Sequence, residues 1–268
     1  MQGVSLRPQR EEAEGSALEY CKRLDAIMLL WARTMDRPAI ISLTFDDGLR
    51  SQFQHALPIL DRHGLPATFF LVANTDPIHT DGTAHPDWPK ISWTEDDNRL
   101  LRDMVGRGHE IGAHSVHHRH PFLDADPRLE AEGSKEWIET RLGKPIPSYC
   151  YPFYYVTPAI KNAAISAGYK QARGGPRDSY YPQSPSDWFD VDCRQISSTE
   201  KENVGGWIRP NCWHVLTYHG IGEERDGWEP IAVAEFDRQM AELANHRDSG
   251  AVEVVTFNDG ANRLRVAQ

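Results

Sequence analysis

Short apolar runs alternate along this chain with stretches whose apolar residues recur every three or four positions. The run AIISLTF at 39–45 lacks polar alternation, as expected of a strand covered on both faces. Beyond Gly48, the residues Leu49, Phe53, Leu57 and Leu60 fall on one helical face, and Gly64 supplies a stop. ATFFLVA at 67–73 predicts a second strand, and Leu100, Leu101, Met104 and Val105 predict a helix that ends in GRGHEIGAH. PSYCYPF precedes a helical PAIKNAAISAGY. WHVLTYHG predicts a strand, Val233, Phe236, Met240 and Leu243 the last long helix, and AVEVVTF the last strand. Strand then helix, repeated about six or seven times, predicts an α/β chain with a parallel sheet or barrel inside a layer of helices.

The N-terminal 1–36 reads as a helical extension, with a helix-like pattern from Leu18 to Met35, and 37–268 as one barrel-sized domain. Two polar, proline- and glycine-rich stretches, 74–97 and 174–188, interrupt the rhythm and are expected to be long loops that carry recognition. Acidic residues outnumber basic ones 39 to 29, for a net charge of −10. That balance argues against nucleic acid as a partner, because phosphate binding needs a basic surface. No apolar run approaches the roughly 20 residues that cross a bilayer. The polar first residues lack a secretory apolar core, so the chain as it begins is expected in the cytoplasm, and an upstream start would change that to export. Oligomeric state is not readable. Cys21, Cys150, Cys193 and Cys212 match no zinc-finger spacing and are expected to be free thiols, with a Cys193–Cys212 disulfide as the alternative for an exported protein.

Three stretches carry candidate chemistry. In TFDDG, Asp46 and Asp47 leave the end of a buried strand, where α/β folds expose ligand sites. Adjacent side chains point apart, so one carboxylate could bind a metal while the other faces a water. The pentapeptide alone supports equally a turn with Asp47 as a helix N-cap. HEIGAHSVHHRHP adds His114 and His118, four positions apart, which one helical turn would aim at one point. Neighbouring His109, His117 and His120 leave open a solvated histidine-rich turn. VLTYHG adds His219 at another strand end, a candidate general acid because imidazole titrates near neutrality. The C-terminal echo TFNDG has Asn258 in place of the first aspartate. A neutral amide is no base, so the echo is expected to mark only a barrel strand ending in a glycine turn.

TFDDG, HSVHH as H-[ST]-x-x-H, a Pro-aromatic turn and LTYH as L-x-x-H, in that order, resemble the polysaccharide deacetylases, the NodB-homology proteins of carbohydrate esterase family 4. The resemblance covers about 39–260, and its first two motifs together are specific. It implies a single-domain distorted (β/α) barrel, usually seven-stranded, and one divalent metal, commonly zinc. Cobalt, nickel and manganese also suit a His-His-Asp set. Carried over, Asp46 would be the catalytic base, Asp47, His114 and His118 the metal ligands, and His219 the acid. Pro152 and Phe153 match the Pro-aromatic turn, with the Phe153 N–H as oxyanion donor and Tyr151 and Pro152 beside the substrate.

Two departures stand out. The motif arginine is replaced by Cys150, and Arg173 is the candidate to supply the guanidinium that orients the base. Asp187 and Trp188 could match the family's Asp-Trp pair, Asp187 tuning His219 and Trp188 lining the acetyl pocket, against the reading of an ordinary loop aspartate and a packed tryptophan. The leading expectation is a metal-dependent hydrolase that removes acetyl groups from an N-acetylated amino sugar or polysaccharide. The alternatives are an amidase, deformylase or O-esterase on a small metabolite or lipid-linked sugar, and a non-catalytic carbohydrate-binding relic. Eight tryptophans suit stacking on sugar rings, but aromatic residues are more often core.

Overall fold

The computed structural model describes residues 37–73, 88–119, 126–177, 180–181, 184–198 and 203–266. The helical extension expected over 1–36, most of the 74–97 loop and Cys21 lie outside the described residues.

Seven parallel strands close on themselves: β1 (Ala39–Phe45), β2 (Thr68–Leu71), β3 (Glu110–Ala113), β4 (Ser148–Cys150), β5 (Gln171–Pro176), β6 (Val191–Gln195) and β7 (Trp213–Tyr218). Each pairs with the next, and β1 closes the ring between β7 and β2. The closure is asymmetric. β1 pairs with β7 along most of its length, but its other edge is shared: Thr44 and Phe45 face β2, whereas Ala39 to Ile41 face an eighth strand, β8 (Val252–Val254). The predicted seven-stranded distorted (β/α) barrel is the fold, with β8 wedged into the seam at the N-terminal ends of the strands.

Helices α1 (Leu57–His63), α2 (Glu95–Gly106), α3 (Ser134–Leu142), α4 (Pro158–Ser166), α5 (Val204–Trp207), α6 (Val233–Asp248) and α7 (Phe257–Val266) complete the units. The period of two along each strand separates two cores. Ile41, Leu43 and Phe45 on β1 turn outward with Phe69, Leu216, Tyr218, Phe236 and Met240 in the larger cluster, where Phe45 stacks on Phe69 at 4.8 Å. Phe70, Cys150, Val191, Cys193, Trp213 and Val215 form the second cluster with Phe257 and Ala261 of α7. Gly112 is required between these strands, because a Cβ there would meet the Phe70 ring at 2.6 Å.

Two sequence expectations are corrected by the strand layout. The loop expected over 174–188 begins as strand, since β5 runs to Pro176. The TFNDG echo is not a strand ending in a turn: β8 stops at Val254 and Phe257 starts α7. The first N–H groups of α7 need acceptors, and they find them in the barrel. The buried Glu110 carboxylate accepts from Asn258 N (2.9 Å) and Thr68 Oγ1 (2.9 Å), and Thr68 Oγ1 accepts from Phe257 N (2.9 Å). The echo therefore seats a helix against the barrel end opposite the candidate site.

Candidate active site

Where the strands end, β1 delivers Asp46 and Asp47, β3 His114, and β7 His219, all buried. Gln52, in the wide turn Gln52–Ala56 before α1, donates from Nε2 to the carbonyls of Asp46 (2.5 Å) and His219 (3.1 Å), tying two of these strand ends together. Asp47 takes φ 76°, a left-handed conformation. It is part of the turn before the helix, not its N-cap, and this kink sends its carboxylate away from that of Asp46.

Asp47 Oδ1 lies 3.5 Å from His114 Nε2 and 3.3 Å from His118 Nε2. The two histidines do not share a helical turn, as their spacing suggested. β3 ends at Ala113, and Ser115 (φ 66°) and His118 (φ 53°) are left-handed, which no helix tolerates. The Ser115 hydroxyl accepts from His118 N at 2.9 Å and closes the turn. His114 Nδ1 sits 3.0 Å from the Cys150 carbonyl, which only accepts; Nδ1 therefore carries a proton, and Nε2 is the nitrogen that faces Asp47 and could serve a cation once its own proton is lost. Burial opposes charge on His114, yet Cys150 and the Asp47 carboxylate press its pKa well above the usual histidine range. Burial alone would raise Asp47, but His114 and then His118 outweigh it and hold the carboxyl well below its usual range. Burial pushes His118 down to about 3. One carboxylate and two imidazole nitrogens facing one point make a donor set that fits a divalent cation.

Asp46 belongs to a different constellation. Its Oδ2 accepts from the Arg173 guanidinium, which is completely buried and also donates to the Cys193 sulfur (2.9 Å) and toward Cys150. The other oxygen, Oδ1, is buried without a protein partner. His219 Nε2 stands 3.7 Å from Asp46 Oδ2 and 3.4 Å from the Tyr154 hydroxyl, while the Trp228 ring meets the imidazole edge-to-face at 4.9 Å. Burial lowers the pKa of His219 against the upward pull of Asp46 and Asp47.

Other expected residues fall elsewhere. Phe153 does reach the site, its ring 4.7 Å from His118 and its backbone left-handed at φ 56°. Pro152 is buried at the start of the same turn. Tyr151 is core: it is fully buried, packs edge-on to Tyr149 at 5.3 Å and donates its hydroxyl to the Phe189 carbonyl at 2.9 Å. Asp187 is bound to Lys161 and accepts from Phe189 N (2.8 Å), so it does not reach His219. Trp188 carries the Arg265 guanidinium 4.2 Å above its ring at the α7 end of the barrel, and the packed-tryptophan reading holds. Cys150, Cys193 and Cys212 are free thiols, so the Cys193–Cys212 disulfide does not form. Gln52, Tyr154 and Trp228 were missed. Nothing in sequence marks them, since each owes its place to a neighbouring strand end.

Comparison with known proteins decides the family. The profile described as polysaccharide deacetylase matches residues 34–172, just over half of the chain and the part that holds Asp46, Asp47, His114 and His118. The chain belongs to the polysaccharide deacetylase family. Among curated relatives, it is 25% identical to the peptidoglycan-N-acetylglucosamine deacetylase of Bacillus cereus over 62% of this chain and 68% of that one. It is 30% identical to the chitooligosaccharide deacetylase of Sinorhizobium fredii over 41% of this chain and 42% of that one, so this match spans less than half of the relative's length. Among solved structures, the Xyl-CE4 domain of a multidomain xylanase from the hindgut metagenome of Trinervitermes trinervoides aligns with TM-score 0.54 at 17% identity, covering 85% of this chain and 91% of that one. A peptidoglycan N-acetylglucosamine deacetylase aligns with TM-score 0.55 at 17% identity, covering 85% and 90%. At this identity the structures speak for the fold: a NodB-like (β/α) barrel.

Proposed function

We propose that this polysaccharide deacetylase hydrolyses the acetamide of an N-acetylated amino sugar within a glycan and releases acetate and a free amine. The observation that carries the reading is the pairing of a cation-fitting set, Asp47 with His114 and His118, with a neighbouring carboxylate, Asp46, that is held by Arg173. The names of the relatives, which concern peptidoglycan, chitooligosaccharide and chitin, support an amino-sugar substrate.

Zinc is the cation we favour, because two imidazoles and a carboxylate suit it; cobalt, nickel or manganese would fit the same donors. When bound, such a cation polarises the amide carbonyl and acidifies a coordinated water. The chain's own residues do the rest. Arg173 engages one oxygen of Asp46 and leaves Oδ1 to accept the proton of the attacking water. The Phe153 N–H, in the left-handed turn against His118, is the donor for the developing oxyanion. His219, across from Asp46, delivers a proton to the leaving nitrogen, without which the C–N bond does not break.

The relic reading rested on the lost motif arginine, and a guanidinium reaches the same carboxylate from β5. Elemental analysis of the purified protein beside His114→Ala tests the proposal. About one divalent equivalent in the wild type, lost in the variant, is the expected result. Two metal-free proteins after divalent-ion loading would sink it.

A further inference from the structure

His118 is the member of the cation-fitting set that stands farthest from a strand end. His114 directly follows β3 and Asp47 stands two residues beyond Phe45, the last residue of β1, but His118 stands five residues beyond the end of β3, in a turn that is left-handed at Ser115 and again at His118 itself. Such a backbone persists only where its surroundings impose it.

The surroundings are Glu130. This side chain is 4% exposed, in the turn Leu129–Gly133 that leads into α3. Its Oε2 accepts from two successive backbone amides, Val116 N and His117 N, both at 2.9 Å. Its Oε1 lies 2.8 Å from His117 Nδ1. Thus a single carboxylate binds both residues between His114–Ser115 and His118.

Glu130 is itself fixed from behind. The Tyr169 hydroxyl donates to the Ala131 carbonyl at 3.1 Å and lies 3.2 Å from Ser134 Oγ, which donates to the Glu130 carbonyl at 2.7 Å. Gly133 lets this segment lie close to the histidine turn, since a Cβ there would stand 3.1 Å from Val116 Cγ2. The chain of contacts runs from the Tyr169 phenol through Glu130 to the amides beside His118.

We propose that Glu130 is a positioning residue for the cation: through the backbone of Val116 and His117 it sets where the His118 imidazole stands opposite Asp47 and His114. This rests on the metal-site reading above. Glu130 touches neither cation nor substrate, and its effect is read in metal affinity, with no need for turnover.

The test is titration of the apo protein with Co²⁺, following the visible d–d absorption, for wild type, Glu130→Ala, Glu130→Gln and His117→Ala. Glu130→Ala removes both amide acceptors and is expected to weaken binding about 10- to 100-fold and to change the band shape, the size usual for residues that orient a metal ligand. Glu130→Gln keeps a carbonyl for the two amides and offers an N–H₂ to His117 Nδ1, so it should stay within about threefold of wild type. His117→Ala keeps the amides and should do the same. If Glu130→Ala does not fold, Glu130→Asp, whose carboxylate is withdrawn by one methylene, carries the same expectation. Wild-type affinity and spectrum in the Ala or Asp variant overturn the proposal alone. A wild type that binds no Co²⁺ overturns the metal-site reading and this proposal with it.

Discussion

Arg173 on β5 reaches across the barrel to the carboxylate of Asp46, just past the end of β1, passing beside the thiol of Cys150 on β4. Both charged groups are buried, and so is Cys150, the position at which the resemblance in sequence implied an arginine. The small thiol leaves room for a guanidinium that arrives from the next strand.

This arrangement predicts a separation of stability from activity. Arg173→Met leaves Asp46 buried and unpaired, which should cost about 3–5 kcal/mol in urea unfolding and lower kcat. Adding Asp46→Asn to Arg173→Met removes the unpaired charge and should recover most of the stability and none of the activity. Equal stability of the single and double variants would contradict the pairing.

The two near-identical pentapeptides give a sharper contrast. Asp46→Asn should lower kcat by about 10²- to 10⁴-fold, the contribution usual for a general base. Asn258→Asp in the same chain should restore nothing, because residue 258 lies on the α7 seat beside Glu110. Recovery in the double variant would mean that the second TFNDG stretch is the site.

Acid stability should depend on Asp97, which holds the end of the 88–97 segment to Arg50 just beyond TFDDG. Burial raises its pKa, but the Arg50 guanidinium and the amides of Ser92 and Thr94 more than offset this and lower it to about 2. A depressed carboxyl stabilises the fold above its unfolded pKa, near 3.9, and loses that contribution as pH falls toward the folded value. Wild type should therefore exceed Asp97→Ala by about 2 kcal/mol from this source at pH 7, with the gap closing between about pH 4 and pH 2. Chemical denaturation at several pH values measures it. A gap independent of pH would contradict the assignment.

Divalent cations should stabilise the fold through Asp47, His114 and His118. At 100-fold excess over Kd the gain is about 2.7 kcal/mol, visible as a rise in Tm that chelator reverses. Asp47→Asn should lose most of that rise, and a rise that survives in the variant would place the cation elsewhere.

How much of this was legible in the sequence follows from where each residue sits. β1, β7, the long helices and the strand-end Asp46, Asp47, His114 and His219 were readable because period and position along one segment specify them. β6 was not, since VDCRQ alternates too weakly to stand out. Arg173 was reached only through the gap left at Cys150. Asp187 and Trp188 stayed open between two readings, and Tyr151 was set beside the substrate when it is core, because a short motif match carries no information about which end or face of the barrel it occupies. Gln52, Glu130, Tyr154 and Trp228 act through contacts between segments far apart in the chain, and no local pattern encodes those.

Asp46, beside the cation set, is expected to drive removal of an acetyl group from an amino sugar. The direct measurement is acetate and free-amine release from N-acetylglucosamine oligomers by zinc-loaded wild type and Asp46→Asn, with the metal content of each sample determined. Equal acetate and amine are expected from the wild type, and at least about 10²-fold less of both from the variant at unchanged metal content. Equal release by both proteins, or no release by a fully loaded wild type across glucosamine-, chitin- and peptidoglycan-derived oligomers, would contradict it.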